Sequence, residues 1–289
     1  MKKIGVIGIG LMGGSIALAL KKSNPCFELY GLDKQQEHLE YALNNSIIDA
    51  KLNTSNCNLM DIIIIATPVK QVITVIKNHY SLFAENKTLI TDMGSTKTYI
   101  CNQVKENFPE LNFIGGHPMT GGEVSGPQVA KADLFQSKIY VLIEDSNEDS
   151  NKYPGIRELS KIFKGIGARV ITLTAEEHDK LVSFTSHLPQ LLASSVINEL
   201  ISIESKNKNA NKLIGQGFLD FTRIAASNSE VWTDIFITNK DNISNMIDNI
   251  IHQLNFLNEI ITNEDRDRLY QVLFSGRKKR IELSKKEEG

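Results

Sequence analysis

Four consecutive isoleucines, Ile62 to Ile65, constrain the fold of this chain more than any other stretch. A strand without polar residues has both faces buried, which is typical of a parallel sheet covered by helices on both sides. Similar apolar runs recur along the first part of the chain, separated by helical patterns such as Val69–Leu82, Thr96–Asn107 and Gly155–Ile166. The predicted strands are Ile4–Ile7, Phe27–Leu32, Ile62–Ala66, Thr88–Thr91, Asn112–Ile114, Ile139–Ile143 and Arg169–Thr172. The pattern predicts an α/β fold with a parallel sheet.

The pattern changes after the last of these runs, and no further strand is predicted. Thr174 and Glu177 have the spacing of a capping box, which predicts the start of a long helix that bends at Pro189. The further predicted helices are Leu213–Ala226, Ser229–Thr238, Asn242–Ile261 and Glu264–Leu283. We therefore expect an α/β domain over residues 1–172 and an all-helical domain over residues 173–289.

The helix predicted over Asn242–Ile261 carries a wide apolar face. The residues of this face are Ile243, Met246, Ile247, Ile250, Ile251 and Leu254. A small helical bundle does not bury so many apolar side chains by itself, and apolar surface left over favours association. We therefore expect the helical domain to form a homodimer.

A glycine-rich turn follows the first predicted strand and opens the first predicted helix. It has the spacing G-x-G-x-x-G from Gly8 to Gly13, and Asp33 ends the next predicted strand 25 residues after Gly8. This context predicts a Rossmann-type dinucleotide-binding site, with the phosphates on the helix N-terminus. The candidate cofactor-binding residues of the turn are Gly8, Gly10, Leu11, Met12 and Gly13.

Asp33 is placed to accept hydrogen bonds from the adenosine ribose of the dinucleotide. A carboxylate there repels a 2′-phosphate, so NAD is expected rather than NADP, a preference that the neighbouring Lys34 weakens. Thr67 and Pro68 follow the run of isoleucines and are expected at the same carboxyl edge of the sheet, where open α/β sheets bind ligands. An alternative for Pro68 is the first position of the next helix.

The composition excludes several classes of function. A formal net charge of −2 gives no electrostatic reason to expect nucleic acid or an anionic membrane. The chain has three cysteines without C-x-x-C spacing, which argues against a disulfide framework and against a zinc site, and so predicts a cytoplasmic protein without a bound metal. The sequence has no apolar stretch of membrane-spanning length, and the five glycines among the first 14 residues do not fit a signal peptide.

His117 lies in the stretch F-I-G-G-H-P-M-T-G-G-E, which is expected to be an irregular loop after the fifth strand. A second loop, D-M-G-S-T-K, follows the fourth strand and contains Ser95. Both loops leave the carboxyl edge of the sheet, so both are expected near the nicotinamide. A neutral imidazole can take the hydroxyl proton while hydride leaves an alcohol, and a serine hydroxyl can orient the base or the substrate. His117 is therefore the candidate catalytic base, with Ser95 as its support.

Four motifs together make the chain resemble the prephenate/arogenate dehydrogenases of tyrosine biosynthesis. They are G-G-H-P-M-T-G, D-x-G-S-x-K, S-H-L-P at Ser186–Pro189 and F-T-R-I-A at Phe221–Ala225. The resemblance extends from Lys3 to about Lys278 and keeps the order of the motifs. It implies a Rossmann domain followed by a helical dimerisation domain, with the active site between them.

The resemblance also implies roles for single residues. His117 matches the catalytic histidine, which hydrogen-bonds the ring hydroxyl and takes its proton, and Ser95 matches the serine that supports it. Arg223 matches the arginine that binds a substrate carboxylate, for which its planar fork is suited. His187 matches a second active-site histidine that binds substrate, and Glu123 matches an acid that pairs with the arginine and controls access.

Two positions bear on the substrate. Gly122 stands where many relatives carry a serine or threonine, so one substrate hydrogen bond is expected to be missing or rebuilt. Gln190 follows S-H-L-P, and a neutral side chain there does not pair with the ammonium group of arogenate, so prephenate is the expected substrate and arogenate the alternative. The chain is also expected to be monofunctional, without a chorismate mutase segment or a regulatory domain.

Two other classes of protein share part of these features. A β-hydroxyacid dehydrogenase has a similar glycine turn and a helical second domain, but relies on a lysine of the interdomain helix, for which Lys180 is the candidate here. A non-catalytic NAD-binding sensor needs the glycines and Asp33 but has no use for His117 or Arg223. Neither alternative explains the histidine loop.

Overall fold

The computed structural model describes residues 1–85, 87–122, 124–144 and 154–287. The chain divides into two compact units, Met1–Lys240 and Asp241–Gly289. All the candidate site residues belong to the first unit, except that Glu123 lies outside the described residues.

The strands of the first unit form two sheets. The strands are β1 (Lys2–Ile7), β2 (Phe27–Leu32), β3 (Ala50–Lys51), β4 (Ile62–Ile65), β5 (Leu89–Asp92), β6 (Phe113–Ile114), β7 (Gly116–Pro118), β8 (Ile139–Ile143) and β9 (Arg169–Leu173). Six of them form a parallel sheet in the order β3-β2-β1-β4-β5-β6. The other three form a second sheet in the order β7-β8-β9, in which β7 is antiparallel to β8 and β9 is parallel to it.

Helices connect the strands and continue to the end of the chain. They are α1 (Leu11–Ser23), α2 (Gln36–Asn44), α3 (Val69–Glu85), α4 (Thr98–Asn107), α5 (Pro154–Gly165), α6 (Ala175–Val182), α7 (Leu188–Lys206), α8 (Gln216–Thr222), α9 (Ser229–Thr238), α10 (Lys240–Thr262) and α11 (Arg266–Glu287). The order of elements is that of an α/β dinucleotide-binding fold followed by helices, as the sequence predicts.

The four isoleucines of β4 show why the sheet is covered on both faces. Ile62 and Ile64 belong to one hydrophobic core, whereas Ile63 and Ile65 belong to a second core on the opposite face. All four are almost fully buried. Each contributes about 1.5–3 kcal/mol by leaving water, so an alternating polar pattern in this strand would not be stable.

The expectation of one parallel sheet is wrong for β7, β8 and β9, which form a separate mixed sheet. The chain leaves the first sheet after the short β6. The next residue, Gly115, already contacts the second sheet, because its carbonyl oxygen accepts a hydrogen bond from the N–H of Ile143 at 2.8 Å. An apolar run such as Ile139–Ile143 indicates burial but does not indicate which strand lies beside it. The two-residue β3 carries too short a pattern to be predicted.

The expected long helix after Thr174 contains a wide turn. Thr174 caps α6, because its hydroxyl oxygen accepts a hydrogen bond from the N–H of Glu177 at 3.1 Å. A π-helical turn, Ser183–His187, then separates α6 from α7. Pro189 stands in the first turn of α7, directly after this wide turn, and has no N–H to donate to the preceding turn. The helix therefore continues through a wide turn beside the proline, and such turns are common at functional sites.

The second unit contains α11 and all but the first residue of α10. Many large apolar side chains of these helices are exposed in the single chain. They include Ile251, Leu254, Phe256, Ile261, Tyr270, Leu273, Phe274, Ile281 and Leu283. Among the helices in the described part of the chain, none combines the length and the apolar character that crossing a bilayer requires.

Candidate active site

The glycine-rich turn joins β1 to α1 at the carboxyl edge of the parallel sheet. Gly8 has φ = 94°, in the left-handed region, and a Cβ at this position would lie 2.7 Å from the carbonyl oxygen of Ala66. A Cβ at Gly13 would lie 1.8 Å from the carbonyl oxygen of Gly8. Gly10, by contrast, has no atom within 4 Å of its Cβ direction, so its backbone faces open space. Two glycines therefore shape the turn, and the third leaves room for a ligand.

The N-terminus of α1 suits the phosphates of a dinucleotide. Gly10 is its N-cap, no side chain caps the helix, and its first turn has no acidic residue. The free N–H groups and the helix dipole therefore favour an anion at this point. In addition, Thr67 Oγ1 is buried and has no hydrogen-bond partner among the described residues. An orphaned hydroxyl beside the turn is what a bound phosphate or ribose would satisfy.

Asp33 ties the end of β2 to the glycine turn. Its Oδ2 accepts a hydrogen bond from the N–H of Ile9 at 2.6 Å, and its Oδ1 accepts one from the N–H of Gln35 at 2.8 Å. The Nδ1 atom of His38 lies 3.6 Å from Oδ1. Each carboxylate oxygen can accept more than one hydrogen bond, so Asp33 both shapes the turn and keeps capacity for a ribose hydroxyl.

A buried ion pair holds the strand that carries His117. The ammonium group of Lys97 donates to Asp92 Oδ2, and both side chains are fully buried. Lys97 Nζ also donates to the carbonyl oxygen of Gly116 at 2.8 Å, while the N–H of Gly116 donates to Asp92 Oδ1 at 3.2 Å. A Cβ at Gly116 would lie 2.7 Å from the carbonyl oxygen of Asp92, so only glycine fits. The pair therefore fixes the backbone next to His117 from both sides.

His117 does not lie in an irregular loop, as the glycines and proline around it suggested. It is the central residue of β7 and pairs with Val141 of β8. The sequence pattern misled because β7 has only three residues, and Gly116 is required by close packing rather than by a turn. His117 is consequently held by a sheet, and 9% of its surface is exposed.

A chain of buried side chains extends from His117. His117 Nδ1 lies 2.8 Å from His178 Nε2, and His178 Nδ1 lies 2.8 Å from Asp179 Oδ1. Asp179 also accepts hydrogen bonds from the N–H groups of Lys97, at 2.7 Å, and Thr98, at 2.9 Å, at the start of α4. His178 and Asp179 are on α6 and almost completely buried. Sequence reasoning did not find either residue.

His187 is fixed by Asn239, a second residue that sequence reasoning missed. Asn239 Nδ2 donates to the carbonyl oxygen of Asp179 at 2.8 Å, which identifies this atom as the amide nitrogen. The same nitrogen lies 3.1 Å from His187 Nδ1, which must therefore be the accepting, unprotonated nitrogen of a neutral ring. His187 then carries its proton on Nε2 and can donate it to an oxygen of a ligand.

Burial sets the protonation of both histidines. Burial lowers the pKa of His117 well below its usual value of 6.5, and the neighbouring His178, Lys97 and His187 lower it further. Burial also lowers the pKa of His187 to about 4, against the opposing effect of Asp179. Both rings are therefore neutral near pH 7. A neutral His117 can accept a proton.

The remaining candidate residues lie at the edges of this cluster. Gln190, in the first turn of α7, is buried, and its Oε1 has no hydrogen-bond partner among the described residues. Arg223 is exposed at the end of α8, where the turn Arg223–Ala226 packs against α7. Ser95 is half-buried, two residues before Lys97. The proposed partner of Arg223, Glu123, lies outside the described residues.

The structure explains why a glycine stands at position 122. A Cβ at this position would lie 2.8 Å from Leu11 Cδ2, at the start of α1. A serine or threonine there would therefore require the Leu11 side chain to move. The same distance shows that the segment after β7 passes close to the glycine-rich turn. The structure thus brings the histidine strand and the dinucleotide turn together.

The sequence contained a weak signal for the missed residues. His178 and Asp179 follow the capping box in the stretch T-A-E-E-H-D, and adjacent histidine and aspartate residues on a helix normally face solvent. Their burial becomes visible only when α6 packs against the start of α4. Lys180, the candidate lysine of the alternative enzyme, is the next residue and is exposed.

The fold and the site together define a nicotinamide-dependent dehydrogenase. The comparisons with known proteins agree and narrow the class. Residues 16–172 match the family model of the prephenate dehydrogenase nucleotide-binding domain, and residues 174–275 match that of the prephenate dehydrogenase dimerization domain. The chain belongs to the prephenate dehydrogenase family.

Relatives resemble the chain over nearly its whole length. It is 32% identical to prephenate dehydrogenase of Bacillus subtilis, over 98% of this chain and 76% of that protein. It is 35% identical to prephenate dehydrogenase of Lactococcus lactis, over 96% of this chain and 76% of that protein. The crystal structure of prephenate dehydrogenase from Aquifex aeolicus, in complex with hydroxyphenyl propionate and NAD+, superposes with a TM-score of 0.89 at 29% identity, covering 98% of both chains.

Proposed function

We propose that this chain catalyses the NAD-dependent oxidative decarboxylation of prephenate to 4-hydroxyphenylpyruvate, a step of tyrosine biosynthesis. Membership of the prephenate dehydrogenase family supports the reaction. The observation that carries the proposal is the buried His117, whose Nδ1 is engaged by His178 close to an open dinucleotide turn. Its other ring nitrogen, Nε2, is therefore the atom that we assign to the substrate hydroxyl.

Each candidate residue has one task in this proposal. His117 accepts the proton of the ring hydroxyl, and Ser95 orients the substrate or the base. Arg223 binds a substrate carboxylate with its planar fork. His187 donates from Nε2 to a substrate oxygen, and the buried Oε1 of Gln190 gains a hydrogen-bond partner when substrate is bound. Glu123 pairs with the arginine and controls access.

The reaction balances without a net proton. When bound, NAD would accept the hydride released when the C–H bond breaks at the ring carbon that carries the hydroxyl. The bond between the ring and its carboxylate breaks, carbon dioxide leaves, and the electron pair completes the aromatic ring. The proton that His117 takes from the hydroxyl returns to the same oxygen, which becomes a phenol. Aromatisation drives the reaction, so the protein mainly orients the ring and handles one proton.

NAD is the proposed cofactor, held by Gly8, Gly10, Leu11, Met12 and Gly13 with Thr67 and Pro68. Two observations support this assignment: no side chain caps the first turn of α1, and Asp33, which we assign to the adenosine ribose, accepts from the N–H of Ile9 in the glycine turn. A carboxylate at this point disfavours the extra phosphate of NADP. The proportion of NAD to NADP turnover measures this preference directly.

Arogenate is the second candidate substrate. It carries an ammonium group where prephenate carries a keto group. Gln190 is neutral and has a buried acceptor without a partner among the described residues. An acidic side chain at this position would favour the ammonium group, and its absence favours prephenate.

The proposed assembly is a homodimer formed through the helical domain, residues 173–289. The match to the dimerization-domain model and the exposed apolar side chains of α10 and α11 support it. We place the boundary with the NAD-binding domain at residue 172, and the enzyme in the cytoplasm, where its free cysteines would stay reduced.

The test is NADH production with prephenate, arogenate and a 3-hydroxy acid side by side. Prephenate is expected to give the highest kcat/KM. Turnover of the 3-hydroxy acid alone would replace the proposal by a β-hydroxyacid dehydrogenase, and NAD binding without turnover of any of the three would indicate a sensor.

Two substitutions separate proton transfer from binding. His117→Asn is expected to lower kcat by about 100-fold or more with little change in KM, since it removes the base. Arg223→Ala is expected mainly to raise the KM for prephenate, since it removes a carboxylate partner. Steady-state kinetics of both variants beside the wild type measure the difference. Near-full turnover by His117→Asn contradicts the assignment.

A further inference from the structure

His117, His178 and Asp179 form a continuous chain of hydrogen bonds that the proposed roles do not explain. The two ring nitrogens that meet, His117 Nδ1 and His178 Nε2, are 2.8 Å apart. The rings meet edge to face, with an interplanar angle of 74°. His178 Nδ1 lies 2.8 Å from the carboxylate of Asp179. The chain lies in the interior, because His178 and Asp179 are at most 1% exposed.

The carboxylate at the end of the chain determines which atoms carry protons. Asp179 accepts hydrogen bonds from the N–H groups of Lys97 and Thr98, where the start of α4 also favours a negative charge. Burial by itself would raise the pKa of Asp179, but these hydrogen bonds and that of His178 outweigh it, so the pKa is lowered. Asp179 is therefore ionised and can only accept.

The ionised carboxylate of Asp179 bears on the other hydrogen bonds of the chain, those of His178 and His117. Because Asp179 only accepts, His178 Nδ1 must carry a proton and donate it. The two facing nitrogens share one hydrogen bond, and when His117 Nδ1 is its donor, the Nε2 atom of His178 accepts it. The Nε2 atom of neutral His117 consequently has no proton. It is the basic nitrogen of the ring.

We propose that His178 and Asp179 are positioning residues, which hold His117 in its Nδ1–H tautomer and so make Nε2 the proton acceptor of the reaction. This inference rests on the proposed function for its catalytic consequence, but not for the tautomer itself. When His117 takes the substrate proton at Nε2, its Nδ1–H still donates to His178, and the chain spreads the positive charge towards the carboxylate of Asp179. The proton returns from Nε2 to the phenolate oxygen, and the chain is restored.

Loss of this chain would release His117 to adopt the other tautomer, and that tautomer would be less active. A neutral histidine with its proton on Nε2 presents a donor to the substrate hydroxyl and cannot accept its proton. In the serine protease triad, the corresponding loss of an orienting carboxylate lowers kcat by about 10⁴-fold because the histidine adopts the wrong tautomer. An effect of about 100-fold or more is therefore expected here.

The first test reads the protons of the wild type directly and does not depend on its activity. Long-range ¹H–¹⁵N NMR of ¹⁵N-histidine-labelled wild-type protein near pH 7 distinguishes a protonated ring nitrogen from an unprotonated one. Signals are assigned by their loss in His117→Asn and His178→Gln. The proposal requires both rings to be neutral with the proton on Nδ1. A proton on Nε2 of His117 overturns it.

The second test uses two substitutions of His178. Phenylalanine fills the space but accepts no hydrogen bond. Glutamine can accept from His117 with its amide oxygen and donate to Asp179 with its amide nitrogen, so it keeps both hydrogen bonds without an imidazole. We expect His178→Phe to lower kcat for prephenate at least 100-fold with less than about a threefold change in either KM. We expect the kcat of His178→Gln to stay within about tenfold of the wild type, and therefore at least tenfold above that of His178→Phe.

His79→Phe is the matched control. His79 is a half-buried histidine on α3 whose Nδ1 contacts the carbonyl oxygen of Val75. Its replacement should leave kcat within about twofold of the wild type. The proposal is overturned if folded His178→Phe keeps kcat within about threefold, or if folded His178→Gln is as slow as His178→Phe.

The two tests also separate this inference from the proposed function. If the wild type does not oxidise prephenate at all, the proposed function fails, and the NMR result alone decides whether the tautomer is held. If the wild type is active and His117 has its proton on Nε2, the function stands and the positioning role fails. If His178→Phe does not fold, the NMR result and the kcat of His178→Gln decide on the positioning role. The proposal then requires the kcat of His178→Gln to be within about tenfold of the wild type.

Discussion

At the scale of single residues, the buried charged groups near His117 are paired. Asp92 and Lys97 neutralise each other, Asp179 pairs with His178 and two backbone N–H groups, and His187 accepts from Asn239. An isolated buried charge would cost several kcal/mol, so these partners are a condition of folding as well as of function.

Removing one member of the Asp92–Lys97 pair should show this dependence. Lys97→Met keeps the length of the side chain but leaves Asp92 as an unpaired buried carboxylate. The free energy of unfolding is expected to fall by about 3–5 kcal/mol, measured by urea denaturation at pH 7. Lys70→Met is the control, because Lys70 and Asp234, 3.2 Å apart, are partly exposed and their pair should contribute less than about 1 kcal/mol. Equal small losses in both variants would contradict the prediction.

The buried neutral histidines also predict how stability depends on pH. The pKa of His187 is about 4 in the folded protein, against a usual value of 6.5 for the unfolded chain. Between these values the unfolded chain binds a proton that the folded protein excludes, so stability is greatest above pH 6.5 and falls as the pH is lowered.

We expect His187 to account for about 2 kcal/mol of lost stability between pH 7 and pH 5. His117 adds a loss of the same sign, because its pKa is also lowered. Urea denaturation at the two pH values measures the total. His187→Gln should be less sensitive to acid than the wild type, whereas His79→Phe should match it. A wild type that is as stable at pH 5 as at pH 7 would contradict the predicted effect of the buried histidines.

At the scale of elements, the site is assembled by short connections at the carboxyl edge of the sheet. The turn between β1 and α1, the end of β5 and the strand β7 meet there through glycines that accept no side chain. The interruption between α6 and α7 places His178 and His187 on consecutive segments. Regular elements hold both histidines and Asp179, and Ser95 lies in the short connection between β5 and α4.

The glycine turn offers a pair of substitutions with different outcomes. At Gly13 a Cβ would overlap the carbonyl oxygen of Gly8, so Gly13→Ala should destabilise the fold by about 1–3 kcal/mol and also weaken NAD binding. At Gly10 a Cβ meets no atom of the protein, so Gly10→Ala should keep its stability. It should nevertheless weaken NAD binding, because the methyl group enters the space of the pyrophosphate.

Urea denaturation and titration of NAD by protein fluorescence measure the two effects separately. We expect Gly10→Ala to raise the Kd for NAD at least about tenfold with a change in stability below about 0.5 kcal/mol. An unchanged affinity of Gly10→Ala for NAD would show that the glycine turn does not bind the phosphates.

At the scale of the whole molecule, the second unit does not bury its own apolar surface. Its α10 and α11 expose large side chains in the single chain, including Leu254 at 55% and Leu273 at 63%. Isolated exposed apolar residues are common in soluble proteins, but this number on two helices is typical of an interface. The homodimer that we propose would cover them.

Light scattering at micromolar concentration should give twice the mass of the chain. Leu273→Glu is expected to raise the dimer dissociation constant at least about tenfold, because it places a charge on an apolar surface. Gln271→Glu adds the same charge on the same helix at an exposed polar position and should change it less than about threefold. A monomeric wild type would refute the dimer.

Regular elements were predicted well because each carries its own periodic signal. The strands Phe27–Leu32 and Ile139–Ile143 and the helix Ser229–Thr238 have the predicted bounds. The errors concern the shortest elements, such as the strand β7 around His117, and the choice of partner, such as the separate sheet of β7, β8 and β9. A local pattern reports whether a segment is buried and contains no information on the segment against which it packs.

The sequence alone determined the fold class, the dinucleotide turn, the family resemblance and the choice of His117 as the candidate base. These depend on residue types at fixed spacings, which can be read from the sequence without knowledge of the fold. The tertiary structure alone decided that His117 lies in a strand and that His178, Asp179 and Asn239 meet around the histidines. Such contacts join residues more than 50 positions apart in the chain. Burial and proximity, which set protonation and tautomer, arise only when the elements pack.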